Sequence, residues 1–206
     1  MITLYDHPRS GNCHKVRLLL SMLGLPYESR FVEVLKGVHH EQWFIELNPL
    51  QQIPVLQDGN FRVQDSQAIL VYLALRYGPT WGSTDPQELG RITEWLSFAA
   101  NEIGNSLQLA RLHYLIGETC DIAAADRKGR RVLRLLDQRL AGRDWLAAER
   151  PTVADLACFP YVGLSREGRL PLEDYGNILA WIDRIVALPG YVGMDGLPRP
   201  ESETRA

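Results

Sequence analysis

The feature that most constrains this chain is a change of pattern at residues 78–86. Before it, short β-branched and aromatic runs alternate with helical spacings; after it, only helical spacings remain. The break itself, Gly78-Pro79 through Asp85-Pro86, is rich in Gly, Pro, Ser and Thr, residues that punctuate chains. A strand–helix alternation feeds one sheet, whereas a run of helices packs on itself. The sequence therefore predicts a mixed α/β domain over residues 1–78, a linker over 79–86 and an all-helical domain over 87–206. At 206 residues and 23.3 kDa the chain is long enough for both without disulfides or metal.

Within the first part, Ile2-Thr3-Leu4-Tyr5 reads as a strand and Ser10 precedes a helix carrying Val16, Leu19, Leu20 and Leu23, which Gly24 and Pro26 stop. Tyr27 to Val34 reads as a second strand and His39 to Leu47 as a second helix. Two apolar runs, Ile53–Leu56 and Phe61–Val63, flank Asp58-Gly59 and spell a hairpin. Asp65-Ser66 then caps a helix to about Tyr77. The order is β-α-β-α-β-β-α. Beyond the break, helices are expected around Leu89–Leu107, Ala123–Leu140, Thr152–Val162 and Asn177–Leu188, with a polar tail from Pro198 to Ala206.

Composition excludes several function classes. Twenty-two basic and 25 acidic residues give a net charge of −3, with no drive toward nucleic acid. The longest apolar stretch, Val16 to Leu25, is interrupted by Arg17, Ser21 and Gly24 and is too short for a bilayer. Three scattered cysteines, Cys13, Cys120 and Cys158, are neither a disulfide framework nor a zinc site. With no signal-peptide pattern at the N-terminus, reduced thiols in a cytoplasmic protein are expected.

Three motifs could carry chemistry. Ser10-Gly11-Asn12-Cys13 sits where strand hands over to helix, the Cys-x-x-Cys geometry of a thioredoxin-like domain with its first thiol replaced by a hydroxyl. A helix start supplies free N–H groups and the positive end of a dipole, so a thiolate brought there by a ligand is favoured. Gln52-Ile53-Pro54-Val55 places proline before a strand, a plausible cis site, beside which an extended ligand could pair. Asp65-Ser66 offers a carboxylate for an ammonium and a hydroxyl and helix end for a carboxylate. Each alone is read as readily as a cap or a strand-opening proline. Together they fit one domain whose helix starts face a common groove.

In that combination the sequence resembles the cytosolic glutathione S-transferases, above all the bacterial members and the serine-type theta and zeta classes. The likeness covers nearly the whole chain. It implies a thioredoxin-like domain plus a helical domain, glutathione as co-substrate, no metal, and a homodimer. On it, Ser10 holds the glutathione sulfur as thiolate, with Asn12 or Cys13 as other candidate sulfur contacts. Ile53, before Pro54, pairs with the cysteinyl backbone, and Gln52 reaches the tripeptide. Asp65 and Ser66 hold the γ-glutamyl ammonium and carboxylate; the commoner acid at the first of these is Glu. His39 and its neighbour His40 fall near the glycine carboxylate. His113 and Tyr114 overlook the second-substrate pocket, where a small hydrophobic electrophile would bind. Thr152 and Asp155 match a helix-capping box that serves folding.

The reaction implied is conjugation of the glutathione thiolate to that electrophile. The alternatives are thiol transfer or reduction through Cys13, and a non-catalytic binding protein of the same fold. Cys13 one turn into the helix is read chiefly as an inward-packing thiol, and Cys120 and Cys158 likewise as packed within the helical half. His14 and Lys15 are expected to face solvent or a partner subunit. Arg127, Arg130, Arg131 and Arg134 form a stripe at helical spacing, read as a solvated face.

Overall fold

The strands and helices of the first half follow the expected order in the computed structural model, which describes residues 1–198. They are β1 (Ile2–Asp6), α1 (Gly11–Met22), β2 (Tyr27–Phe31), α2 (Gln42–Leu47), β3 (Val55–Asp58), β4 (Phe61–Gln64) and α3 (Ser66–Tyr77). One sheet results, in the order β2-β1-β3-β4, with β1 parallel to β2 and antiparallel to β3. Register puts Leu4 opposite Leu56, both fully buried. The hairpin turn lies one residue beyond the Asp-Gly pair: Asp58 faces Phe61, and Gly59 takes φ +57° between them. The sheet and its helices make the thioredoxin-like α/β layer.

Two boundaries differ from the sequence reading. β2 stops at Phe31 because β1 ends opposite it at Asp6; Val32 N–H still reaches the Asp6 carbonyl at 2.8 Å, and beyond it β1 offers no further carbonyl. The chain then makes two 3₁₀ turns, Val34–Lys36 and Val38–His40. His39 and His40 therefore precede α2 instead of opening it, with Glu41 extended between them and the helix.

The second half contains α4 (Pro86–Phe98), α5 (Leu109–Ile116), α6 (Ile122–Leu140), α7 (Val153–Gly163) and α8 (Gly176–Val186). α4 opens with Asp85 as N-cap and Pro86 in the first turn. Between α4 and α5 the backbone stays helical but winds as a π-helix over Ala99–Gln108, leaving helical angles only at Asn105. α6 exposes Arg127, Arg130, Arg131 and Arg134 as expected. Cys158 is buried, whereas Cys120 lies in the half-buried connection before α6. The expected tail lies, after Pro198, outside the described residues.

α7 is the element that joins the halves. Every residue from Val153 to Val162 is buried, so the helix is apolar all round, as a central helix must be. Its start is fixed by the expected capping box between Thr152 and Asp155. Asp155 also accepts from Leu146 N at 2.9 Å and from Trp181 Nε1 at 3.0 Å. α7 packs on α1, α3 and α4, and one continuous core runs from Leu4 and Leu19 to Phe159 and Trp181.

That packing overturns the expectation for His14 and Lys15. Both are buried, at 0% and 1% exposure, because α1 packs against both α3 and α7. A helix enclosed on two sides has no solvent stripe for them. Gly11 belongs to the same contact: a Cβ there would meet the Tyr161 ring of α7 at 2.9 Å.

Candidate functional site

Ser10 is the N-cap of α1. Its Oγ accepts from Cys13 N–H at 3.2 Å, which uses an oxygen lone pair and leaves the hydroxyl able to donate, with the Cys13 sulfur within its reach. Capping and donating into a groove are thus compatible in one side chain. Ser10 opens onto a cavity of about 280 Å³ at the junction of the two halves. His7, Arg9, Asn12, Val34, Leu35, His39, Gln51, Gln52 and Ile53 of the first half line it, together with Gln108, Arg111, Leu112, Leu115, Ile116 and Tyr161 of the second.

The loop before β3 is held rigidly. The Ile53–Pro54 peptide is cis. Asn48, itself buried, donates from Nδ2 to the Gln52 carbonyl at 2.7 Å and accepts from Leu50 N–H at 3.0 Å. Gln52 and Ile53 are thereby set along the cavity wall.

A second cavity, about 240 Å³, adjoins the first and shares Asn12, Gln52 and Gln108 with it. Asp65 and Gln67 lie on one side, and Ala99, Ala100, Gly104 and Asn105 of the π-helical segment on the other. Asp65 caps α3, its Oδ1 accepting from Gln67 N–H at 2.9 Å and Ala68 N–H at 3.0 Å. It does so at φ +73°, a conformation a non-glycine residue rarely adopts. Ser66 is buried just behind this cavity, 3.4 Å from Asn12 Oδ1. Turning the Gln67 amide brings its nitrogen to Ser66 Oγ at 2.7 Å and to both Asp65 carboxylate oxygens at 3.2 Å. The Ser66 proton is then free for Asn12.

Charge around the thiol position is mixed. Arg111 is almost fully buried; its Nε meets Glu167 Oε2 at 2.5 Å and its Nη1 donates to the Arg9 carbonyl at 3.0 Å, tying α5 to the loop before α1. Burial lowers the pKa of His7. Burial, then the neighbouring His40, lowers that of His39, whose ring lies 3.8 Å from His40's. His40 is exposed and bonds Gln51 Oε1 at 2.6 Å, outside the cavity lining. Cys13 is fully buried, and burial pushes its pKa up, the opposite of what a nucleophilic thiol needs.

The structure thus brings Ser10, Asn12, His39, Gln52, Ile53 and Asp65 onto one two-part groove, with Ser66 behind it. It does not bring His113 and Tyr114 there. His113 bonds the Glu118 carbonyl at 2.9 Å, and Tyr114 lies under the Arg169 guanidinium, 4.0 Å from the ring centroid. The wall is instead the row Gln108, at the end of the π-helical segment, and Arg111, Leu112, Leu115 and Ile116 of α5. Its i, i+3, i+4, i+7, i+8 spacing is readable in the sequence and leaves positions 113 and 114 on the other side. Among the described residues, no cluster of three or more His, Cys, Asp or Glu could hold a metal ion, and no helix is long and apolar enough to cross a membrane.

Residues 1–75 match the family model described as "Glutathione S-transferase, N-terminal domain", and residues 106–189 the corresponding C-terminal domain model. The chain is 34% identical to the mouse "Glutathione S-transferase theta-2" over 203 residues, covering 92% of this chain and 82% of that protein. It is 29% identical to the Escherichia coli "Disulfide-bond oxidoreductase YfcG", with 92% of each chain covered. The crystal structure of a glutathione S-transferase from Pseudomonas fluorescens superimposes with a TM-score of 0.89 at 28% identity, covering 94% of this chain and 98% of that one. The mixed four-stranded sheet with its helices and the helical second half agree with these matches. The chain belongs to the glutathione S-transferase family.

Proposed function

We propose that the protein is a glutathione transferase that joins the glutathione sulfur to small hydrophobic electrophiles. The single observation that carries this reading is the Ser10 hydroxyl, fixed as the cap of α1 at the meeting point of a polar compartment and an apolar wall. The polar compartment suits the γ-glutamyl end: Asp65 faces the ammonium, and the start of α3 faces the carboxylate. Gln52 and Ile53 run beside the cysteinyl portion, and His39 lies toward the glycine end, with the His40 ring tilted against it.

The sulfur then sits at the N-terminus of α1. Donation from Ser10 and the helix dipole both favour thiolate over thiol, lowering the thiol pKa. The thiolate attacks an electrophilic carbon held against Val34, Leu35, Leu112, Leu115 and Ile116. A carbon–sulfur bond forms, and the leaving group departs with its electron pair. The acceptor and the thiol are brought together in one cavity, which is where most of the rate gain is expected. Family members are usually homodimers, and we expect one here.

Reaction through Cys13 is disfavoured by its full burial and raised pKa. The test is calorimetric titration with glutathione, followed by conjugation of a chlorodinitrobenzene and by disulfide reduction, on wild type, Ser10→Ala and Cys13→Ser. Binding, with conjugation lost in Ser10→Ala and kept in Cys13→Ser, is expected. No binding at millimolar glutathione sinks the reading. Activity lost only in Cys13→Ser assigns the chemistry to that thiol.

A further inference from the structure

The proposed reaction leaves one buried charge unused. Lys15 is 1% exposed and makes no ion pair among the described residues. An ammonium taken out of water is costly, and here the Asp65 carboxylate acts on it only from beyond ion-pair distance, so its direct contacts carry information. Nζ donates to Asn12 Oδ1 at 2.8 Å and lies 5.5 Å from the centroid of the Tyr161 ring. Burial lowers the Lys15 pKa to about 8, so the group is still mainly charged at neutral pH.

Lysine has donors only, so the end of the Asn12 carboxamide facing it must be the oxygen. Ser66 Oγ, at 3.4 Å, presents a second donor to the same oxygen. The carboxamide is planar and two-ended. With Oδ1 turned inward to two donors, Nδ2 is turned the other way, and it makes no hydrogen bond with any described residue. Asn12 lines both compartments of the groove, one residue pair along α1 from Ser10.

We propose that Lys15 is a positioning residue: it locks the Asn12 carboxamide with its N–H₂ toward the sulfur of bound glutathione, as a second donor beside Ser10. Without the ammonium, only the longer Ser66 contact at 3.4 Å orients the carboxamide, so it can turn and present its oxygen, which would repel a thiolate. The inference rests on glutathione binding as read above. Its signature lies in the ionisation of the bound thiol, which a residue that merely packs would not set.

The test measures the pKa of glutathione bound to the enzyme from the ultraviolet absorbance of the thiolate, in wild type, Lys15→Met, Lys15→Arg and Asn12→Asp. Lys15→Met keeps length and removes the donors. The bound-thiol pKa should rise by about one unit, so that the thiolate fraction below that pKa falls about tenfold. Glutathione affinity measured at a pH where the thiol is protonated should change less than about threefold, since binding of that form needs no particular carboxamide end. Lys15→Arg, which keeps charge and donors, should return the pKa toward wild type. Asn12→Asp keeps a partner for Lys15 but offers the sulfur no donor, so it should raise the pKa at least as much; it also serves if Lys15→Met does not fold. A bound-thiol pKa unchanged in folded Lys15→Met, or in Asn12→Asp, overturns the role of Lys15 while leaving the transferase reading in place. A wild-type protein that binds no glutathione overturns both.

Discussion

At the scale of single residues, the side chains that decide the chemistry are those with two obligations. Ser10 closes a helix with its oxygen and can still donate its proton. Replacing it by alanine removes a positioned donor to a developing or standing anion, for which losses of about 10²–10³ in rate are usual. The expected outcome for Ser10→Ala is a fall of about 100-fold in kcat/KM with glutathione affinity little changed, read by steady-state kinetics across pH. Capping is lost as well, and stability should drop by about 1 kcal/mol in denaturant titration. His14 has a different role. Its ring is buried near Phe159 with neither nitrogen bonded, and burial, then the charge of Arg17, lowers its pKa from 6.5 to about 3. A group depressed in the folded state is protonated preferentially by the unfolded chain. Stability is therefore held above pH 6.5 and lost as pH falls toward 3. Between pH 6.5 and 5 the loss should be about 2 kcal/mol. His14→Phe should flatten that stretch of the pH–stability curve, and an unchanged slope would remove His14 as its cause.

At the scale of elements, what the sequence disclosed depended on whether one face or two were covered. β2, β4 and α6 each keep a solvent side, and the arginine stripe of α6 marks it directly, whereas β1, buried at all five residues, shows as a short β-branched and aromatic run. α1 misled because its second cover, α7, comes from 140 residues further on and leaves no local trace. His14 and Lys15 look like surface residues until that helix arrives. His113 and Tyr114 failed for another reason: likeness to relatives locates a helix near a pocket but not its rotation. The apolar row Leu112, Leu115 and Ile116 was legible and should outrank it. Ser10, the Ile53–Pro54 step and Asp65-Ser66 could be found because helix starts and prolines announce themselves in any context. The capping box of α7 belongs to this scale. Thr152→Ala should cost about 1 kcal/mol. Asp155→Ala strips a buried carboxylate that serves Thr152, Leu146 and Trp181, and about 3–5 kcal/mol is expected. Thermal unfolding of the two variants orders them; equal losses would mean that the box alone matters.

At the scale of the whole molecule, the sequence divides where the physics does not. Composition changes at residue 78, yet the core passes through the junction without a gap, by way of α7. Four of the five tryptophans lie from Trp81 onward, so their fluorescence reports the helical half. Unfolding followed by that fluorescence and by loss of glutathione binding, which reports the other half, should coincide in one transition. Two separated transitions would mean that α7 is a contact between independent domains.

The two compartments of the groove share a wall made of Asn12, Gln52 and Gln108. On the proposed reading glutathione spans that wall, and the electrophile enters separately to fill the apolar end of the larger compartment. The conjugate leaves as a single molecule that fills the whole groove, and joining two fragments removes the cost of holding the second in place. On the proposed reaction the product is therefore the tightest ligand in the cycle, and its departure, more than bond formation, sets the pace of turnover with reactive acceptors.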